Sequence, residues 1–200
     1  HTGIRRQRQM CIRDRDHLER TKSPAEIEVS QQQFFRINRL KRAGDDPLVT
    51  LIIPTKNNVQ SLKECVESVL YKTDYKNFEV SLIDNQSTES KALEYYDELN
   101  QLDPIALYAY DQEFNYSAIN NFAVSKSQGE IIVFLNDDTV VKNQEWLTEL
   151  VSQASREEIG AVGAKLLYPD ETYQHAGIVL GYCTVAVSYT HLTLPTNACV

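Results

Sequence analysis

Two hundred residues with 42% hydrophobic and 24% charged side chains suit one globular domain of ordinary size, long enough for a real core. The formal net charge of −8 is uneven: residues 1–15 carry five arginines against Asp14, which leaves −12 for the rest. So acidic a body is a poor candidate for wrapping nucleic acid. No stretch nears the ~20 apolar residues of a membrane span, and no signal peptide is visible.

The four cysteines (Cys11, Cys65, Cys183, Cys199) show no metal-ligand spacing and read as reduced thiols of a cytosolic protein. Residues 1–15 have neither helical nor strand periodicity, and residues 188–200 are equally unpatterned. Both resemble translated sequencing-adapter read-through and are set aside as non-native tails. The rival reading of the first is a basic arm for nucleic acid or anionic lipid. On the adapter reading, the chain is a fragment cut before its natural end.

Residues 16–47 read as a linker or N-terminal extension. The spacing there predicts a helix over Glu26–Leu40, with Ile27, Phe34, Ile37 and Leu40 partly inward, broken by Gly44-Asp45-Asp46-Pro47. Residues 48–187 form the main domain. Its first strand is Val49–Ile53, ended by Pro54. A helix follows with Val59, Leu62, Val66, Val69 and Leu70 on one face, capped by Asn58 or by a Ser61–Glu64 capping box. Next come a strand at Phe78–Ile83, a helix at Glu89–Leu99, a strand at Ile105–Ala109 and a helix at Ser117–Lys126 with Ile119, Phe122 and Ala123 inward. The run Ile131–Leu135 predicts a strand buried on both faces. A helix at Gln144–Ala154 and strand-like stretches at Ala161–Leu167 and Gly177–Leu180 complete the pattern.

Alternating strands and helices imply an α/β fold: a mostly parallel sheet with helices on both faces. Polar clusters follow three strands: Pro54-Thr55-Lys56-Asn57-Asn58, Asp84-Asn85-Gln86-Ser87-Thr88 and Asn136-Asp137-Asp138-Thr139. In a parallel sheet all three converge on the ligand-binding edge. The adjacent Asp137 and Asp138 repel each other, and water or a hard cation makes the pairing tolerable. No Gly-x-Gly-x-x-Gly follows the first strand, and no Gly-x-x-x-x-Gly-Lys-Ser/Thr occurs, which disfavours a dinucleotide-binding domain and a P-loop NTPase. Asn136 stands where an aspartyl-nucleophile phosphatase would need Asp.

Five motifs in one order carry a resemblance: Pro47 to Asn57, Ile83 to Thr88, Phe114-Asn115-Tyr116-Ser117-Ala118-Ile119-Asn120-Asn121, Gly129 to Asp138, and Gly160 to Pro169 with Gln174-His175-Ala176-Gly177. Together they resemble family 2 glycosyltransferases of GT-A fold, within them the bacterial enzymes of O-antigen and rhamnose-rich polysaccharide assembly. The resemblance implies a Rossmann-like GT-A domain whose C-terminal acceptor half is missing here. It implies an inverting donor domain that takes a sugar from a UDP- or dTDP-linked nucleoside diphosphate to a glycan or lipid-linked glycan of a bacterial surface polysaccharide. It places the protein in the cytoplasm, with peripheral association at the inner face of the membrane for the full-length protein, and gives it no nucleic-acid partner. The alternative is a non-catalytic nucleotide-sugar-binding or scaffold segment of a larger synthase.

By the same resemblance, Asp138 is the ligand of Mg²⁺ or Mn²⁺, and Asn136, Asp137 and Asn115 approach the donor. Pro54, Thr55 and Asn57 line the base and ribose pocket, and Asp84 accepts a hydrogen bond from the base imide. The catalytic base is expected beyond the fragment, so binding without sugar transfer is the expectation. Asp170 and Glu171 read as solvated turn residues, His175 as structural, Trp146 as helix packing, Tyr95 and Tyr96 as helix surface and core, and Lys56 as an exposed lysine.

Overall fold

The computed structural model describes residues 46–157 and 159–180, with shorter stretches at 16, 19–20, 22, 25–29, 36–40 and 186–188. Both tails set aside above, Ser188 excepted, lie outside the described residues. The chain divides into two compact units, residues 1–156 and 157–200.

The first unit opens with an antiparallel pair, β1 (Ala25–Val29) and β2 (Arg36–Leu40), registered Ile27 to Asn38. This corrects the helix expected over Glu26–Leu40. Ala25-Glu26-Ile27-Glu28-Val29 alternates apolar and charged residues strictly, and that period of two is a strand signal.

Four parallel strands build the main sheet: β3 (Val49–Thr55), β4 (Phe78–Asp84), β5 (Ile105–Ala109) and β6 (Ile131–Phe134), in the order β5-β4-β3-β6. The strand β3 runs through Pro54 instead of ending at it. Residues of a parallel strand bond alternately to left and right. The Ile52 carbonyl accepts from Leu135 N–H on the β6 side, whereas Thr55 carbonyl accepts from Asn85 N–H on the β4 side. Pro54 therefore faces the β6 side, where the ladder has already stopped at Ile52–Phe134, and its missing N–H costs no bond.

The alternation on β3 also assigns the helices. Val49, Leu51 and Ile53 pack with α1 (Val59–Lys72), α2 (Ser90–Leu99) and α4 (Trp146–Ala154) on one face of the sheet. Ile52 and Ile83 pack with Ile119 and Ala123 of α3 (Tyr116–Val124) on the other. Helices thus cover both faces, as expected. Leu62, Cys65, Val66 and Val69 of α1 are fully or almost fully buried, the inward stripe that helical spacing required. Each such Leu or Val contributes about 2 kcal/mol of hydrophobic free energy. The start of α1 departs from the reading: Asn58 sits at the cap position without a side-chain cap bond, and Ser61 lies inside the helix. Glu64 accepts from the Gln60 side chain, so no capping box forms.

Among the described residues β6 is an edge strand of this sheet, not the doubly buried strand its apolar run implied. Ile131, Val133 and Leu135 join one core cluster and Ile132 the other, but Phe134 is 51% exposed. The reason is coverage: α3 lies over β3 and β4.

In the second unit the expected strand over Ala161–Leu167 shrinks to β7 (Leu166–Leu167), paired with β8 (Tyr173–His175). β9 (Ile178–Leu180) pairs with β10 (Ala186–Ser188). Asp170 and Glu171 form the exposed β7–β8 turn, as read from sequence. Asp170 accepts from the hydroxyl and the N–H of Thr172, which hold its carboxyl below the ordinary carboxylate value.

Candidate nucleotide-sugar site

Because the four strands are parallel, their C-terminal ends share one rim. The chain builds outward from β3 through β4 to β5, then returns to the other side of β3 as β6. The crevice between the ends of β3 and β6 is a topological switch point, the place where open α/β sheets take ligands. Across it the Thr55 hydroxyl donates to the Asp137 carboxylate at 2.7 Å. Thr55 is only 4% exposed, so this bond ties the two strand ends together from within. A cavity of about 450 Å³ opens here. Pro54, Thr55, Lys56 and Asn58 line it from β3, Asn136, Asp137 and Asp138 from β6, Asn85 from β4, and Phe114, Tyr116 and Ile119 from the start of α3.

The acidic loop is held from beneath by α1. Cys65 Sγ donates to the Asn136 carbonyl at 3.6 Å, and Ser68 Oγ accepts from Val141 N–H at 2.9 Å while donating to the Cys65 carbonyl. Burial, then the nearby Asp137 carboxylate, pushes the Cys65 thiol up to about 12, so it stays protonated and able to donate. Asp138 is exposed on the cavity, and no other described residue hydrogen-bonds its carboxylate. No group of three or more His, Cys, Asp or Glu that could hold a metal ion occurs among the described residues. A cation at this rim would share Asp138 with oxygens of a bound phosphate, a shell that suits Mg²⁺ and similar hard ions.

The expected site residues divide into two sets. Pro54, Thr55, Asn136, Asp137 and Asp138 meet in the cavity. Asn57, Asp84 and Asn115 stand at the same rim but serve the backbone. Asn57, with φ of 54°, accepts from the N–H groups of Thr88 and Glu89, and its own N–H donates to Ser87 Oγ. Asp84, level with Thr55 in the β3–β4 register, accepts from Ser87 N–H. Asn115 caps α3 by accepting from Ala118 N–H. Asn85, Phe114, Tyr116 and Ile119 also line the cavity; the sequence put Asn85 in the polar cluster after β4 but gave none of the four a site role of its own. Lys56, read from sequence as able to meet phosphate though exposure is the commoner fate, is exposed and is the one cation among the lining residues. The available signal was local: two aromatic residues flank the capping Asn115.

Trp146 packs against the core and donates its indole N–H to Thr73. Tyr96 is buried with its hydroxyl on Ser87, and Tyr95 is half-buried. His175 is half-buried on β8.

An uncharacterized protein, y4gI of Sinorhizobium fredii, is 41% identical over 181 residues, 90% of this chain and 20% of that protein. The O-antigen biosynthesis protein RfbC of Myxococcus xanthus is 41% identical over 167 residues, 83% of this chain and 13% of that protein. The chain thus spans a fifth or less of the length of these relatives. Among solved structures, the mannosyltransferase PcManGT of Pyrobaculum calidifontis, in complex with GDP-Man and Mn²⁺, superposes with a TM-score of 0.55 at 24% identity, over 64% of this chain and 37% of that one. That likeness identifies the fold as GT-A. The sequence profile of glycosyl transferase family 2 matches residues 50–180, and this chain belongs to that family.

Proposed function

We propose that this chain is the donor-binding part of an inverting glycosyltransferase that uses a UDP- or dTDP-linked sugar. The observation that carries the reading is the switch-point crevice, where Thr55 locks Asp137 at 2.7 Å and leaves the Asp138 carboxylate facing the same cavity. A nucleoside diphosphate leaving a sugar gains negative charge as the bond to the anomeric carbon breaks. Asp138 would hold Mg²⁺ or Mn²⁺, which would supply a Lewis acid for this charge. Within the chain itself, Asp137 is fixed by Thr55 for a ribose or diphosphate contact, and Asn136 offers an amide beside it. Lys56 adds a cation at the mouth. PcManGT holds GDP-Man with Mn²⁺ in the same fold, which supports a nucleotide-sugar donor.

The reading extends to transfer onto a glycan or lipid-linked glycan of a bacterial surface polysaccharide, in line with the name of the Myxococcus relative. It places the protein in the cytoplasm at the inner face of the membrane; no helix among the described residues is long and apolar enough to cross one. Calorimetric titration with UDP, dTDP, GDP and ATP, with and without Mn²⁺, tests it. The expected result is Mn²⁺-dependent tightening for UDP or dTDP that disappears in Asp138→Asn. Preference for ATP, or binding indifferent to both metal and Asp138, would overturn it.

A further inference from the structure

The cavity has two unlike walls. One is the acidic loop after β6. The other is the start of α3, where Phe114 and Tyr116 stand 61% and 54% exposed while both line the cavity. Large aromatic side chains so open to water gain most when a flat apolar partner covers them.

The segment carrying these rings is pinned by three asparagines. Asn85, 2% exposed, donates through Nδ2 to the carbonyls of Tyr110 at 3.2 Å and Gln112 at 2.9 Å. Asn115, between the two aromatics, caps α3 through Ala118 N–H at 3.0 Å. Asn120, 6% exposed, donates to the Tyr116 carbonyl at 2.8 Å. Beneath them, Ile119 and Tyr110 belong to the core cluster on this face of the sheet, and the Tyr110 ring meets Phe122 at 5.4 Å. The rings thus stand on a preset backbone, which lowers the ordering cost of binding against them. The side-chain donors of Asn85 and Asn120 and the cap acceptor of Asn115 are spent on that backbone. Beside these ring faces, Asn85 Oδ1 and Asn120 Oδ1 are buried without a hydrogen-bond partner among the described residues.

Resting on the donor reading above, we infer that Phe114 and Tyr116 form a stacking wall for the nucleobase. The order of the sheet decides which end of the donor lies there. Asp137 and Asp138 hold the diphosphate at β6, the edge strand, and the loops after β3, β4 and β5 all lie on the other side of that point. A nucleoside running inward from the diphosphate crosses Thr55 and Pro54 and reaches the aromatic wall; the sugar runs the opposite way, past the edge. Stacking on a ring face discriminates weakly between bases, because every base presents a π-face.

The test is calorimetric, with UDP, UDP-glucose and inorganic pyrophosphate, each with Mn²⁺, on the parent chain and on Phe114→Ala, Tyr116→Ala and Tyr116→Phe. The alanine variants should each bind UDP and UDP-glucose about tenfold more weakly, the usual scale for loss of a stacked base, and bind pyrophosphate as the parent does. Tyr116→Phe should keep parental UDP affinity. Equal loss for UDP and pyrophosphate would mean that the segment only supports the fold, and would overturn the proposal. Loss confined to UDP-glucose would assign the wall to the sugar and also overturn it. If the parent binds UDP with Mn²⁺ and the alanine variants match it, the stacking wall fails while the donor reading stands. If the parent binds no nucleoside diphosphate, both fail.

Discussion

The two rims of the main sheet use similar residues for opposite ends. At the N-terminal rim Thr50 donates to Glu79 at 2.6 Å, Gln128 N–H donates to the same carboxylate at 3.0 Å, and Gly129 N–H donates to Thr50 Oγ1 at 2.9 Å. The polar groups satisfy one another and leave no space: a Cβ on Gly129 would come within 2.6 Å of Thr50 N and Oγ1. At the C-terminal rim, Thr55 likewise donates to a carboxylate, that of Asp137. There the neighbours spread into a cavity, and Asp138 is left open to it. A buried threonine on a carboxylate is thus a closed latch at one end of β3 and part of a cavity wall at the other. The difference lies in what surrounds the pair.

The sharpest way to break this contrast is at the closed rim. Gly129→Ala should destabilise the fold by about 3 kcal/mol in urea titrations, because the clash is with backbone that cannot yield cheaply. Unchanged stability would mean the rim is not tight. At the open rim, Asp138→Asn should leave stability within about 0.5 kcal/mol, since the side chain is exposed, yet remove the Mn²⁺-dependent part of nucleotide binding. A large loss of stability there would argue that both rims are structural. Thr55→Val stands between the two. It should cost about 1 kcal/mol of stability, and it should weaken Mn²⁺-dependent UDP binding by freeing Asp137. Parental binding by that variant would show the latch is idle.

The smallest effect concerns Cys65, beneath the acidic loop. Its thiol is pushed from 9.0 to about 12, so the folded protein keeps the proton where the unfolded chain loses it. The stability this contributes is whole below pH 9 and fades as pH rises from 9 towards 12. Alkylation mapped to Cys65 should therefore be negligible in the native protein at pH 8 and complete in denaturant. Prompt native labelling would show that α1 opens under the loop.

The order of the elements in residues 48–157 was readable from the sequence because each carries its own period: Leu62, Val66 and Val69 at helical spacing, and short apolar runs at β4 and β5. The crevice was legible through the polar residues that follow strands, Thr55, Asp137 and Asp138 among them. Other features depended on neighbours. The Ile131–Leu135 run says only that its residues are apolar; that β6 lies at an edge and leaves Phe134 exposed follows from which strands α3 covers. Asn57, Asp84 and Asn115 are residue types that suit ligands and turns equally. Loop geometry turned all three towards backbone N–H groups. The β1–β2 pair replaces the helix expected across Glu26–Leu40, although the strict alternation of Ala25–Val29 is present in the residues themselves.

What the chain determined alone, then, is local: hydrophobic period, helix stripes and the polar residues ending each strand, all set by bonding and burial within a few residues. Tertiary structure decided which of those polar groups bond to each other and which face open space. That choice depends on strands brought side by side from 82 residues apart, as with Thr55 and Asp137.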